Sequence, residues 1–240
     1  HNALSEEMML NIQLALDESA ADKKIRVIII SAVGPTFSAG HDLNELKAGR
    51  KNSDRGKSYF KEVMLKCSKL MQSIVNNPKP VISEVAGVAT AAGCQLVASC
   101  DLAYAGESAR FATPGVNIGL FCSTPMVALS RNVSNKHSME MLLTGDLISS
   151  SKAAEIGLIN KMINDNNLQN FVLERALKIS KKSAMTLKIG KEAFYKQIDM
   201  TLSEAYDYAS NVMVENMLKL DAEEGIDAFI NKRTPNWQDK

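Results

Sequence analysis

KPVISEVAGVATAAGCQLVASCD, residues 79–101, carries the strongest structural signal in this sequence. Residues 80–85 are short, apolar and β-branched, which predicts a strand. The Gly/Ala-rich residues 87–93 predict a tight connection into an apolar helix through Leu96, Val97 and Cys100. Another strand is predicted at residues 102–105. Strand–loop–helix units of this kind recur along the chain and indicate a parallel or mixed α/β architecture.

The flanking segments extend this pattern. Residues 4–21 have helical spacing with Ser5 as a plausible N-cap, and residues 25–30 predict a strand buried on both faces. Residues 46–59 are polar, contain Gly49 and Gly56, and predict a mobile surface loop before a helix at residues 59–74. After residue 166 only helices are predicted, at residues 168–180, 183–196, 203–220 and 223–231. We therefore expect a core at residues 1–175 and a helical region at residues 176–240, packed continuously on it.

Composition restricts the class of protein. The 240 residues are 45% hydrophobic and 23% charged, with a formal net charge of +1, which argues against a nucleic-acid or membrane-surface binder. No apolar run approaches the ~18 residues of a membrane span. The four cysteines lack zinc-site spacing, so we expect buried free thiols in a reducing compartment and no metal site. The chain opens at His1 without Met, which indicates a processed, trimmed or partial chain.

Four segments together resemble one known family. FSAGHDL (residues 37–43) is similar to its FxAGxDL turn, and residues 79–101 are similar to its KPVIA…GxxxGGGxEL…CD segment. FATPG (residues 111–115) through Gly119 is similar to its FxxPExxLG loop, and LTGD (residues 143–146) with residues 153–158 to its LTGxxIxAxxAxxxGLV stretch. Each motif alone is weak, but their order and spacing over residues 37–158 resemble the enoyl-CoA hydratase/isomerase (crotonase) family.

The resemblance implies a fold and a class of ligand. The fold is a crotonase-like spiral of repeated strand-strand-helix units with a C-terminal helical trimerisation region. The ligand is a coenzyme A thioester, as substrate or bound molecule, with no other cofactor, in fatty-acid metabolism. Homotrimers or hexamers made of two trimers are implied, without nucleic acid or a membrane span. We expect a cytoplasmic protein if the source is bacterial, and a mitochondrial matrix protein if it is eukaryotic.

The resemblance also places a catalytic feature made of main-chain groups. Two backbone N–H groups aimed at a thioester oxygen stabilise the negative charge of an enolate, and small residues allow the close approach. The motif match assigns these donors, an oxyanion hole, to the amides of His41 and Ala92. The start of a helix at Ala92 would add its positive dipole end. The alternative is a tight strand-to-helix turn in which residues 87–93 are small only for packing.

Two acidic positions of the family are replaced. Its two Glu residues fall on Gln95 and Gly115, and neither residue titrates, so efficient hydration is not expected. His41 is a possible catalytic side chain, or a histidine bonded to its loop or to solvent. Cys122 and Ser123 either act as nucleophiles or pack and bond within their loop. Glu84, in an otherwise apolar strand, predicts a salt bridge or an exposed strand face.

The remaining site positions follow from the resemblance. The acyl pocket is assigned to Ala39, Leu43, Cys122 and Ser123. Coenzyme A contacts are assigned to Asn44, Phe229 and Lys232, the last two in an FxxK pattern whose alternative is an amphipathic end helix with a solvated basic tip. The leading hypothesis is an acyl-CoA enzyme of the lyase or isomerase kind. The rival hypotheses are a non-catalytic acyl-CoA-binding or regulatory protein, and a helical assembly protein on a vestigial fold.

Overall fold

Pairs of short strands alternate with helices along the first two-thirds of the chain. The structure is a computed structural model that describes all residues, 1–240. The strands are β1 Ile28–Ile30, β2 Thr36–Ser38, β3 Val81–Val85, β4 Val88–Thr90, β5 Leu102–Gly106, β6 Arg110–Ala112, β7 Ile148–Ser149 and β8 Lys161–Ile163. The helices are α1 Glu6–Ala21, α2 Leu43–Gly49, α3 Lys57–Val75, α4 Ala92–Ser99, α5 Pro125–Leu129, α6 Asn135–Thr144, α7 Ser150–Glu155, α8 Leu168–Ser180, α9 Ala184–Gln197, α10 Leu202–Met217 and α11 Leu220–Ile230.

Each successive strand pair contributes one strand to each of two sheets. The first sheet has the order β1-β3-β5-β8 and is parallel throughout. The second has the order β2-β4-β6-β7, with only β7 antiparallel. Because each strand pair adds one strand to both sheets, the chain winds as a spiral. The predicted α/β spiral of strand-strand-helix units is therefore confirmed.

The first sheet is covered by helices on both faces. Val81 and Val85 of β3 belong to the main core, which also receives buried residues of α1, α3 and α4. Ile82, between them, belongs to a second cluster with Tyr104 and the buried residues of α8. Burial on both faces is typical of parallel sheets, whose helical crossovers cover them.

Three predictions of local structure were wrong. β1 is not buried on both faces, since Ile29 is 36% exposed; β1 is the edge strand of its sheet. Residues 46–49, predicted to be loop, belong to α2, which Asp42 caps by accepting a hydrogen bond from the Asn44 amide (2.7 Å). Residues 87–93, predicted to be a turn, contain β4.

Four helices, α8 to α11, complete the chain as predicted, with Ser5, at the other end, capping α1. The predicted boundary after residue 175 falls inside α8, and the division into two regions stays a prediction. All four cysteines are free and buried, which confirms the prediction of buried free thiols. None of the helices is long and apolar enough to span a membrane.

Candidate functional site

The turn after β2 is built around Gly40. Its φ of +84° lies in the left-handed region that favours glycine. A Cβ added there would come 2.9 Å from the Cβ of Ala91 and 3.1 Å from the nitrogen of Ala92. The Gly40 carbonyl accepts a hydrogen bond from the Leu4 amide (2.8 Å), so the N-terminal segment holds the turn from the other side. Gly40 therefore brings the main chain beside His41 against the start of α4.

The connection from β4 into α4 is strained and tightly packed. Ala91 has φ 51° and ψ −120°, a conformation that costs a non-glycine residue about 1–3 kcal/mol. All eight residues of α4 are buried. A Cβ added at Gly93 would lie 2.3 Å from the Ser38 carbonyl oxygen, so the first turn of α4 packs directly on β2. Small residues are required here for close approach of backbone to backbone.

The amides of His41 and Ala92 have no hydrogen-bond acceptor within the chain. Ala92 is the first residue of α4, where an amide has no partner in its own helix. Neighbouring amides are used: that of Ala91 donates to the Ala112 carbonyl (3.0 Å), and that of Gly40 donates to the Ser38 hydroxyl (3.3 Å). Two unused donors thus lie on segments that touch each other through Gly40.

Two side-chain atoms beside these amides are buried without a partner. They are Nε2 of His41 and Oγ1 of Thr113. Burial lowers the pKa of the His41 imidazole below its ordinary value, so the ring is neutral at physiological pH. Nε2 therefore makes no hydrogen bond to its loop, while His41 as a whole is partly exposed, so the choice between a catalytic and a structural His41 stays a prediction. Sequence reasoning missed Thr113; its signal was the position directly after β6, which pairs with β4 beside the Ala91 turn.

Gln95 lies one turn into α4 and is 4% exposed. The only hydrogen bond of its side chain is a weak one, from the Cys67 thiol at 4.0 Å to Oε1. A neutral amide at this position orients a water or a ligand group, but it does not accept a proton near neutral pH.

The loop containing Gly115 is closed around the glycine. The Gly115 amide donates to Sγ of Cys122 (3.3 Å), and its carbonyl accepts from the Leu120 amide (2.9 Å). A Cβ at position 115 would lie 2.8 Å from the Leu120 carbonyl oxygen and 2.9 Å from Sγ of Cys122. The space that a side chain needs is thus taken by the loop itself.

Cys122 and Ser123 show packing and loop hydrogen bonds. Burial raises the pKa of the Cys122 thiol, which disfavours a nucleophilic thiolate. Ser123 is exposed, and its hydroxyl donates to the Phe121 carbonyl at 3.4 Å. Glu84 forms no salt bridge; it is partly exposed on β3, and burial raises its pKa. Partial exposure on the strand face agrees with the second of the alternatives predicted for Glu84.

The other predicted positions lie in two separate places. Ala39, Leu43 and Asn44 are exposed on the turn and on the start of α2. Phe229, 86% exposed, and Lys232 lie at the end of α11. Phe229 lines a groove of about 530 Å³ together with Trp237 of the C-terminal tail. Within one chain, the groove contains none of the residues of the Gly40 turn.

A cavity of about 1120 Å³ lies between α3, α4, α5 and α9. Gln95, Ala98 and Ser99 of α4 line it, whereas His41 and Ala92 do not. One wall holds a partly buried polar network, in which Asp101 accepts hydrogen bonds from Lys191 (2.7 Å), Tyr195 (2.9 Å) and the Val81 amide (2.7 Å). This network fixes α9 to the start of β3.

Comparison with known proteins identifies relatives in one family. The family model for enoyl-CoA hydratase/isomerase matches residues 1–240. Enoyl-CoA hydratase domain-containing protein 3, mitochondrial, of Xenopus laevis is 50% identical over 236 residues, 98% of this chain and 79% of that protein. The crystal structure of human enoyl coenzyme A hydratase domain-containing protein 3 matches with TM-score 0.93 and 48% identity, over 98% of this chain and 91% of that chain. An enoyl-CoA hydratase of Mycobacterium smegmatis matches with TM-score 0.93 and 43% identity, over 98% and 90%.

Proposed function

This chain belongs to the enoyl-CoA hydratase/isomerase family, and we propose that it binds a coenzyme A thioester and polarises the thioester carbonyl with the amides of His41 and Ala92. One observation carries the proposal. Both amides lack an acceptor within the chain, and Gly40 holds their two segments in contact. Unused N–H donors at the N-terminal end of a buried helix stabilise a negatively charged oxygen.

The proposed hole acts through the main chain. Each donor in such a hole contributes about 10²–10³ in rate, because a fixed dipole in a water-poor site needs no reorganisation as charge develops. The positive end of α4 adds to the effect at Ala92. Polarisation of this kind promotes enolate-type chemistry at the carbon next to the thioester.

Proton transfer requires a different group from the family's two carboxylates. Gln95 and Gly115 supply none, so we expect crotonyl-CoA hydration far below the ~10 per second typical of metabolic enzymes. His41 is the proposed substitute. In the neutral tautomer that carries its proton on Nδ1, the unpartnered Nε2 accepts a proton from a bound ligand.

A second candidate function is binding without turnover. It is favoured by the loop around Gly115, which leaves no room for a side chain where the family places an acid. In this function the same hole holds an acyl-CoA that the protein senses or sequesters.

Ligand contacts outside the hole are part of the proposal. Ala39, Leu43, Cys122 and Ser123 are proposed for the acyl group, and Asn44, Phe229 and Lys232 for coenzyme A. Phe229 is almost fully exposed in one chain, and α9 to α11 carry further exposed apolar residues, including Phe194, Leu218 and Ile230. Exposed apolar surface of this extent supports assembly into trimers or pairs of trimers. The relatives named mitochondrial support a mitochondrial location, and a role in fatty-acid metabolism is part of the proposal.

Calorimetry and infrared spectroscopy test the proposal. We expect micromolar binding of crotonyl-CoA, and a lowered carbonyl stretching frequency for the bound ¹³C-labelled thioester. Ala92→Pro removes one donor at the first helical position, where proline is best tolerated. Asn135→Pro is the matched control, because Asn135 is exposed at the first position of α6 and follows an extended Ser134.

The readouts separate the two functions and the failure of both. A frequency shift in the parent protein that Asn135→Pro keeps and Ala92→Pro loses supports the hole. Turnover on any member of a thioester panel supports the enzyme, and binding without turnover supports the second function. An unshifted carbonyl frequency in the bound parent protein refutes the hole, whether or not Ala92→Pro folds.

A further inference from the structure

A dense cluster of cations lies on the segment that joins α2 to α3. Within residues 47–61 the chain places six of its 28 lysine and arginine residues, which are Lys47, Arg50, Lys51, Arg55, Lys57 and Lys61. All six are exposed, and none forms a salt bridge. We call these six residues the basic patch.

The charge of the basic patch contrasts with that of the rest of the chain. Asp54 is the only acid among residues 47–61, so six cations and one acid give this segment a net charge of +5. Because the whole chain carries +1, the other residues together carry −4. The Asp54 carboxylate accepts hydrogen bonds from the amides of Gly56 (3.0 Å) and Ser58 (2.8 Å) and from no cation. The basic patch is therefore unpaired, and its field attracts anions.

The segment that carries the basic patch is folded tightly on itself. The Asn52 amide donates to the Gly49 carbonyl (3.1 Å), and the Arg55 amide donates to the Asn52 carbonyl (2.8 Å). The Arg50 guanidinium lies 5.4 Å from the centre of the Phe60 ring, which joins the end of α2 to the first turn of α3. Arg55 has φ 58°, a left-handed conformation that is unfavourable for a residue with a side chain. Backbone strain of this kind is typical of ligand sites, and here it falls on a cation.

Helix α2 connects the proposed hole to the basic patch. It begins at Leu43, two residues after His41, and ends at Gly49. At 1.5 Å per residue, α2 covers about 10 Å, and the lysine and arginine side chains extend beyond it. The arm of coenzyme A has roughly a dozen bonds between the thioester sulfur and the first phosphorus, or ~15 Å when extended. A thioester whose oxygen lies at the His41 amide therefore has an arm long enough for its phosphates to contact the basic patch.

The phosphates of coenzyme A require several cations. A diphosphate and a phosphomonoester together carry about four negative charges at neutral pH. Among the positions that the family resemblance assigns to coenzyme A, which are Asn44, Phe229 and Lys232, only the last is a cation. Arg233 beside it is already paired with Glu224 (2.7 Å). The basic patch supplies the missing charge, and its arginines offer the planar pair of N–H groups that binds a phosphate through two hydrogen bonds.

We infer that the basic patch binds the phosphates of the coenzyme A ligand. The inference rests on the proposed binding of a thioester at His41 and Ala92, and it assigns a role to residues that the family resemblance leaves unassigned. A small anion is favoured over an anionic membrane, because an extended negative surface also repels the negative charge of the remaining chain.

Removal of three cations of the basic patch tests the inference by calorimetry. The patch variant combines Lys51→Gln, Arg55→Gln and Lys57→Gln, whose side chains are exposed and form no salt bridge. One exposed ion pair is worth about 2- to 5-fold in affinity, so we expect the patch variant to bind crotonyl-CoA roughly 10-fold more weakly than the parent protein. Crotonyl-pantetheine, which has the same thioester and no phosphate, should bind equally to both proteins.

A matched control separates the basic patch from total charge. The control variant combines Lys23→Gln, Lys24→Gln and Lys178→Gln, which remove the same charge from exposed positions outside the basic patch. It should bind crotonyl-CoA as the parent protein does. The 3′-dephospho form of crotonyl-CoA should lose less affinity in the patch variant than crotonyl-CoA, because it carries about two fewer negative charges.

Failure of the inference differs from failure of the proposed function. Equal affinity of the patch and control variants for crotonyl-CoA would overturn the inference, as would an equal loss for crotonyl-pantetheine. Binding of phosphatidylglycerol vesicles that only the patch variant loses, with its affinity for crotonyl-CoA unchanged, would assign the basic patch to a lipid surface instead. A parent protein that binds neither crotonyl-CoA nor crotonyl-pantetheine would overturn the proposed function itself.

Discussion

Restoring a carboxyl group at position 95 should raise hydration, because Gln95→Glu keeps the shape of the side chain. The site is 4% exposed and offers no cation, so burial should raise the pKa of the new carboxyl. A folded pKa above the unfolded value of about 4.3 means that the variant loses stability as the pH rises through the folded pKa. At neutral pH we expect a loss of about 1–3 kcal/mol.

Restoring the second acid should fail for a steric reason. A Cβ at position 115 lies 2.8 Å from the Leu120 carbonyl oxygen and 2.9 Å from Sγ of Cys122. The sulfur can be removed with Cys122→Ala, but the backbone oxygen cannot. Gly115→Glu should therefore displace the loop, with a loss of about 1–3 kcal/mol typical of overpacking. Cys122→Ala should recover part of that loss.

Crotonyl-CoA hydration, followed by loss of the enoyl absorbance, gives the functional result. We expect Gln95→Glu to raise the rate by ~10²-fold or more, since one positioned acid or base contributes about that much. Gly115→Glu should add nothing, because its carboxyl sits on a displaced loop. Gln169→Glu is the matched control, since Gln169 is exposed on α8.

Urea denaturation of each variant measures its stability, which shows whether a change in rate accompanies a change in folding. A Gly115→Glu protein with full stability and a faster reaction would refute the steric argument. A folded Gln95→Glu protein that binds crotonyl-CoA but gains no rate would refute the placement of position 95 beside the thioester.

Three other changes test the surrounding structure, each by urea denaturation. Burial lowers the pKa of His41, so the stability that the neutral imidazole contributes is present above the unfolded pKa of about 6.5 and is lost as the pH falls through the folded pKa. His41→Phe should therefore flatten the dependence of the unfolding free energy on pH. An unchanged dependence would contradict this expectation. Ala91→Gly should stabilise by up to about 1 kcal/mol, because relief of strain exceeds the entropy cost of glycine; a loss would argue against strain. Lys191→Met should lower the free energy of unfolding by about 3–5 kcal/mol, because it leaves the Asp101 carboxylate without its cation. Adding Asp101→Asn should restore part of that stability. A loss below ~1 kcal/mol in Lys191→Met would contradict the role of the network.

Local pattern was sufficient for most of the helices but for only three of the eight strands. The apolar β-branched run at β3 and the helical spacing of α3 and α8 predicted those elements, because pattern and burial coincide there. β1 was misjudged because its exposure depends on its place at the sheet edge, which no local pattern reports. β4, three residues long, is too short to show a period and exists through its pairing with β2 and β6.

Glycine misled the interpretation of residues 46–59. Gly49 was taken as a sign of a loop, yet it is buried at the end of α2. A Cβ there would lie 2.1 Å from the ring of Tyr59, so Gly49 is small to admit the tyrosine rather than to permit flexibility. A neighbour ten residues away, across a turn, determines that requirement, and sequence alone does not show it.

The candidate site, like the fold, was predicted only in part. Motifs located the turns that carry His41 and Ala92, since backbone approach leaves a composition signal of small residues. Thr113 and the cavity between α3, α4, α5 and α9 were not predicted, because each arises where separate segments meet. The closed loop at Gly115 was not predicted either. The sequence shows that the acid is replaced by glycine, but not that the loop fills the space a side chain would need.

Main-chain donors and side-chain acids differ in how they can be lost. The proposed hole depends on contacts that the fold itself needs, such as Gly93 on β2 and Gly40 on Ala92, so it persists while the chain folds. The acids depend on two side chains that this chain lacks. What remains of the proposed site is a pair of main-chain donors for the carbonyl and the imidazole of His41. A thioester reaction with a single proton shift is therefore the first to assay, because it requires only one group that gains and then returns a proton.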